Sequence, residues 1–163
     1  MSGDLPHYGL KRAHRFTDFL YWNLLMAVPL VTAAIGIGLR SSVALFIYVV
    51  VIVLCLVLIY RHFCTHCPHY HAGRRVVRCM FFWGMPKLFP SKEGPLSGRD
   101  KLITAAAAAI LIVFPINWLA DDIGLLVIYL MTLTVFGLTI RRHECGRCIY
   151  SDCPLNAAAG GGE

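Results

Sequence analysis

Four long apolar blocks, separated by polar and mostly basic segments, organise this chain. Residues 16–39, 43–60, 102–120 and 123–140 each fall near the roughly 20 apolar residues that a helix needs to cross a bilayer. The second block is uninterrupted, and the first carries only Asp18 and Asn23 near its start. Pro29 and Pro115 lie inside blocks. Membrane helices tolerate proline where neighbours satisfy the freed carbonyls. Arg40-Ser41-Ser42 joins the first two blocks and Asp121-Asp122 the last two, whereas residues 61–101 form one large loop. The pattern predicts an all-α integral membrane protein: a single four-span domain over residues 1–163, made of two helical hairpins, with a Cys-rich loop at 61–101 and a Cys-rich tail at 141–163. The first block is longer than the roughly 7–15-residue core of a cleaved signal peptide and reads as a retained span.

Composition agrees with this. Hydrophobic residues make up 58% of the chain and charged residues 15%, against about 25% charged in an ordinary soluble domain. The sequence holds 15 Lys and Arg. Only Arg40 lies at a hairpin tip; the rest precede the first span, fill the large loop or follow the last span. The positive-inside rule then places both termini and the loop in the cytoplasm, as a multi-pass protein of an inner (cytoplasmic) membrane. The net charge of +6 is accounted for by contact with the lipid bilayer. Nucleic acid is not expected, because no basic surface interleaved with stacking aromatics is present.

The spans themselves look structural. They contain no His, which excludes a haem held by two imidazoles, and no Lys, Arg or Glu, which argues against an ion path. Thr132, Thr134 and Thr139 are expected to bond the backbone. Thr32, Gly36, Ala105 and Ala109 have the small-residue spacing that lets helices approach closely, and the run Ala105 to Ala109 predicts a packing face against another span or another subunit.

The chemistry lies in the loop and tail, where a repeat appears. The second block ends in Arg61-His62-Phe63-Cys64-Thr65-His66-Cys67, and the fourth in Arg142-His143-Glu144-Cys145-Gly146-Arg147-Cys148. Both read R-H-x-C-x-x-C in the same place relative to a hairpin. Two such units in one orientation imply a pseudo-two-fold axis along the membrane normal, which would bring both C-x-x-C pairs together over the cytoplasmic end. Cys79 and Cys153 add a third cysteine to each half, and only Cys55 lies elsewhere, inside the second span, where it reads as a small buried apolar residue.

Cytosolic thiols are kept reduced, so disulfides are not expected. Thioredoxin-like chemistry places its C-x-x-C at a helix N-terminus, whereas these pairs follow helix C-termini. A metal-binding cap is the stronger reading, because two C-x-x-C turns can supply a tetrahedral Cys₄ set. Cys64, Cys67, Cys145 and Cys148 are the first candidate ligands; Cys79 and Cys153 are the second. Cys67-Pro68 and Cys153-Pro154 place Pro after Cys, as in bacterial ferredoxins, and favour an iron–sulfur cluster. Zinc is the alternative, and His62, His66, His69 and His71 with Cys79 could form a second zinc site. Neither C-x-x-C is followed by His, which excludes c-type haem.

The expected role is electron transfer, or an accessory role in a redox complex, with a membrane or soluble redox protein as partner. A zinc-stapled assembly subunit is the alternative. Soft-metal transport is disfavoured because no ladder of ligands continues from Cys55. The Arg- and Trp/Phe-rich stretch around residues 74–89 is expected to lie in the headgroup layer, and Ser97 with Asp100 to cap the third span. No phosphate-binding loop, dinucleotide fingerprint, zinc-protease motif or nucleophile elbow is present, so no reaction is assigned.

The strings F-C-T-H-C-P-H-Y at 63–70, W-G-M-P-K-L-F at 83–89, G-P-L-S at 94–97 and C-P-L-N at 153–156 resemble a group of small, uncharacterised, four-span, cysteine-rich membrane proteins of anaerobic bacteria. The resemblance covers most of the chain beyond the first span. It implies the four-span architecture and carries over no activity or catalytic residue; an anaerobic setting would suit an iron–sulfur cluster.

Overall fold

In the computed structural model, which describes residues 14–71 and 75–145, the chain is an all-helical, multi-pass membrane protein. Four helices are long and apolar enough to span a bilayer: α1 (Phe16–Gly38), α2 (Ser42–His62), α4 (Gly98–Leu119) and α5 (Ile123–His143). A 3₁₀ turn at Cys64–His66 and the short helix α3 (Pro68–His71) follow α2. The long helices outrun their apolar blocks at the basic end, where α2 continues to His62, α4 begins at Gly98 and α5 continues to His143. Side-chain caps close the N-terminal ends of α4, at the basic end, and of α5, at the hairpin tip. Ser97 Oγ accepts the Asp100 N–H at 3.1 Å, and Asp122 Oδ1 accepts that of Leu125 at 3.1 Å.

The closest packing is α2 against α4 and α1 against α5, with α1 touching every other long helix. Toward the hairpin tips, Ala33 and Ile37 of α1, Ala44 and Tyr48 of α2, Leu119 of α4 and Tyr129 of α5 form one buried cluster. Gly36 is required there, because a Cβ would lie 2.3 Å from Leu119 Cδ2. The tips themselves are joined by an ion pair between Arg40 and Asp121, so the lone arginine on that side is matched by an acid from the other hairpin. Around this cluster the helices expose Leu24, Val28, Val31, Val53, Leu54 and Val113. A soluble protein could not carry so continuous an apolar surface; here it faces lipid.

The threonines inside the spans are satisfied locally. Thr32, Thr132, Thr134 and Thr139 each donate to the carbonyl four residues back. Pro115 has no N–H to offer the Leu111 carbonyl, and Tyr129 of α5 answers from the neighbouring helix. Its hydroxyl donates to Ile112 O at 3.0 Å and lies 3.5 Å from Leu111 O. Tyr129→Phe is expected to lower stability by about 1 kcal/mol, the upper part of the measured range for interhelical bonds in membranes. The same change in a Pro115→Ala background should cost clearly less, since the restored N–H recovers its helical partner. Unfolding of the four variants in mixed micelles checks this. Equal costs in both backgrounds would detach Tyr129 from the proline.

The expected small-residue face is confirmed on α1, where Thr32 and Gly36 are buried; on α4, Ala107 is buried but Ala105 and Ala109 are exposed.

The large loop folds back onto the bundle. Val77 N–H donates to Met85 O at 2.9 Å and Gly84 N–H to Val77 O at 3.0 Å, a tight reversal for which Gly84 takes a φ of 79°. Tyr60 of α2 donates its hydroxyl to Pro86 O at 2.8 Å, Asn23 of α1 donates to Met80 O at 3.2 Å, and Phe81 meets Phe136 of α5 with ring centroids 6.3 Å apart. The Phe- and Trp-rich stretch thus packs as a lid on the bundle end, with Phe81, Phe82 and Trp83 half-buried.

Candidate functional site

Three groups of chemically able side chains collect at the basic end. The first surrounds the first C-x-x-C. As α2 ends, the chain tightens: Phe63 N–H bonds Ile59 O, Cys67 N–H bonds Cys64 O at 3.0 Å, and Tyr70 N–H bonds Cys67 O at 2.9 Å. Thr65 anchors the turn by donating to Arg61 O at 2.8 Å. This buries Cys64 and leaves Cys67 half-buried. Cys64 packs with Tyr60, Tyr70 and Val77, and Cys67, Cys79, Phe82 and Phe89 flank them. Cys67 and Cys79 both act electrostatically on Cys64, so three of the predicted ligands share one patch although Cys79 comes from a separate part of the loop. Cys64 and Cys55 are free thiols.

The second group ties the two halves together. His14 Nδ1 lies 3.7 Å from Asp18 Oδ2 of α1 and 3.7 Å from Glu144 Oε2 just after α5, and its ring sits 4.6 Å from that of His69 in α3. His14, His69 and Glu144 are all buried. Cys145, next to Glu144, is buried as well. The segment behind the first C-x-x-C therefore meets the start of the second through His14. The sequence offered no sign of His14, which stands among basic residues ahead of α1, or of Glu144, which occupies the variable position of its repeat.

The third group centres on Asp100 in the first turn of α4. His62 Nδ1 donates to its Oδ1 at 2.6 Å, the Ser97 hydroxyl donates to its Oδ2 at 2.7 Å, and Lys92 Nζ stands 3.6 Å away. His66 Nε2 is 3.8 Å from Oδ2, with its Nδ1 turned to His62 O at 3.2 Å. His62 therefore orients a carboxylate.

The expected histidine set for a second zinc site does not converge. His62 and His66 turn to Asp100, His69 turns to His14, and His71 is exposed. Cys148 and Cys153 lie outside the described residues. Among the described residues, no group of three or more His, Cys, Asp or Glu side chains is arranged to hold a metal ion. Cys64, Cys67 and Cys79 share one patch without forming such a group.

No protein-family model matches the chain, and neither a curated protein nor a solved structure shows significant similarity to it.

Proposed function

We propose that this chain is a membrane-embedded metal protein whose centre, an iron–sulfur cluster, serves electron transfer or a redox complex at the cytoplasmic membrane face. Cys64 and Cys67 would supply one pair of ligands and Cys145 and Cys148 the other, with Cys79 and Cys153 as the remaining thiols. The observation that carries this reading is the contact chain His69–His14–Glu144, which draws the end of the first C-x-x-C segment to the start of the second. Helix packing supports the repeat behind it. Under a two-fold that exchanges the hairpins, the α2–α4 contact maps onto α5–α1, and these are the two closest pairs. Tyr48 and Tyr129, each nineteen residues before the last ligand of its own C-x-x-C, are both buried. Asp18 and Asp100 are each the third residue of their helix.

When bound, such a cluster would supply a one-electron carrier. The residues around it would hold it at the membrane edge, exclude water through Tyr60, Tyr70 and Phe82, and leave a basic rim for an acidic redox partner. The packing of three cysteines into an aromatic cluster also favours a second reading, in which zinc clamps the loop to the bundle and the chain is an assembly subunit.

Metal and acid-labile sulfide analysis on anaerobically purified protein, with a visible spectrum, separates them. About four iron and four sulfide per chain and a brown colour are expected for a Cys₄-held [4Fe–4S] cluster. About one zinc without sulfide would establish the clamp instead. Colourless, metal-free protein after anaerobic reconstitution would sink both.

A further inference from the structure

A separate feature is the cleft beside Asp100, distinct from the cysteine patch. It is a half-open cavity of about 450 Å³ between the end of α2 and the start of α4, lined by Arg61, His62, Lys92, Arg99, Asp100 and Thr65 among others. Its charge is unbalanced. Three full cations face one carboxylate, and that carboxylate is already engaged by His62, Ser97 and Lys92. Among the described residues neither Arg61 nor Arg99 has an acidic partner. Arg61 is held in place by stacking over Phe89, its guanidinium carbon 5.6 Å from the ring centroid. Asp100 is buried and holds His62 and Lys92 at the cleft wall. The result is a preformed set of cationic groups around a space the size of a headgroup, at the basic end of two spanning helices.

We infer that this cleft binds a phosphate-bearing anion. Guanidinium groups match phosphate oxygens with paired N–H donors. Basic pockets between spanning helices are where acidic headgroups are held. The same chemistry could be met by an acidic phospholipid or by soluble phosphate, and the two sources are separable by experiment.

The full chain is placed in phosphatidylcholine nanodiscs. In one arm, phosphatidylglycerol replaces part of the lipid and bound lipid is counted by native mass spectrometry; in the other, inorganic phosphate is titrated by calorimetry at constant ionic strength. Wild type is expected to retain phosphatidylglycerol over phosphatidylcholine, and Arg61→Gln/Arg99→Gln to weaken that binding by about tenfold. The pair Arg75→Gln/Arg78→Gln, exposed arginines outside the cleft, should leave it unchanged. Saturable phosphate binding without lipid preference, lost in the same cleft variant, would assign the site to a soluble anion and support the inference equally. Binding of neither probe overturns it. So does an equal loss in the Arg75/Arg78 variant, since that marks diffuse attraction to a basic surface. Arg61 and Arg99 are themselves exposed, so their replacement should not unfold the chain; Lys92→Gln is the second variant that keeps the test valid if it does.

Discussion

If the proposed cluster is present, the Cys64→Ser substitution is expected to remove nearly all bound metal from the purified protein, while Cys55→Ser removes none. Cys64 belongs to the first candidate Cys₄ set, and it lies in the patch that also holds Cys67 and Cys79. A serine oxygen is a hard, protonated donor at neutral pH and does not replace a thiolate for a soft or borderline metal. Loss of even a supporting contact to a metal ligand costs roughly 10–100-fold in affinity, and loss of a ligand from a closed Cys₄ set should cost more. Metal content should therefore fall from near-stoichiometric to below about a tenth. Cys55 is equally buried, at 4% exposure against 6% for Cys64. It lies within the second span, so its replacement controls for the mere loss of a buried thiol. Element analysis of both variants beside wild type decides the matter. Unchanged metal in Cys64→Ser would remove the thiol patch from the site. Parallel Cys79→Ser and Cys145→Ser variants then show which thiol completes the set: the one already in the patch, or the one brought in with Glu144.

Asp100→Ala should be the most damaging change at an acidic position, costing about 2–3 kcal/mol of stability, whereas Asp121→Ala should cost under about 1 kcal/mol. Both acids are ion-paired, so the pairing alone does not predict the difference. Burial does: the Asp100 side chain is 11% exposed and that of Asp121 74% exposed. Asp100 accepts charge-assisted bonds from His62 and Ser97 and lies in the first turn of α4, where the helix dipole favours an anion. Its removal strands His62 beside Lys92 and loosens the joint between α2 and α4. Asp121 and Arg40 meet at an exposed tip where water replaces either partner. Unfolding of both variants in mixed micelles gives the comparison; similar losses would mean that the Asp100 hub does not hold the helices together.

Much of the architecture was legible along the chain. Apolar block length called for four spans, the two short links called for hairpins, and Ser97 with Asp100 marked the start of α4. These are local properties, set by the cost of exposing backbone polar groups to hydrocarbon and by capping within one turn. The role of each threonine in α5 was legible for the same reason, because its acceptor is four residues away on the same helix. At the basic end the helices outrun the apolar blocks by a few residues. Hydropathy marks where the apolar run stops, whereas hydrogen bonding and capping decide where the helix stops.

The site was legible in part. The spacing of Cys64 and Cys67 announced a two-donor turn, and the structure adds Cys79 to it. Nothing in the spacing could have grouped the histidines correctly. His62 and His66 are one helical turn apart and share Asp100, while His69, three residues on, faces the opposite half of the molecule through His14. The sequence by itself determined that this is a four-span membrane chain with its basic residues and nearly all its cysteines at one end, because transfer of apolar surface and backbone polar groups is additive along a segment. Only the tertiary structure decided that Tyr129 covers the carbonyls beside Pro115, that His14 and Glu144 join the two ends of the chain, and that Arg61 and Arg99 flank one cleft with Asp100 at its wall. Those contacts depend on how α2 packs on α4 and α5 on α1, and that packing follows from side-chain shape across helices.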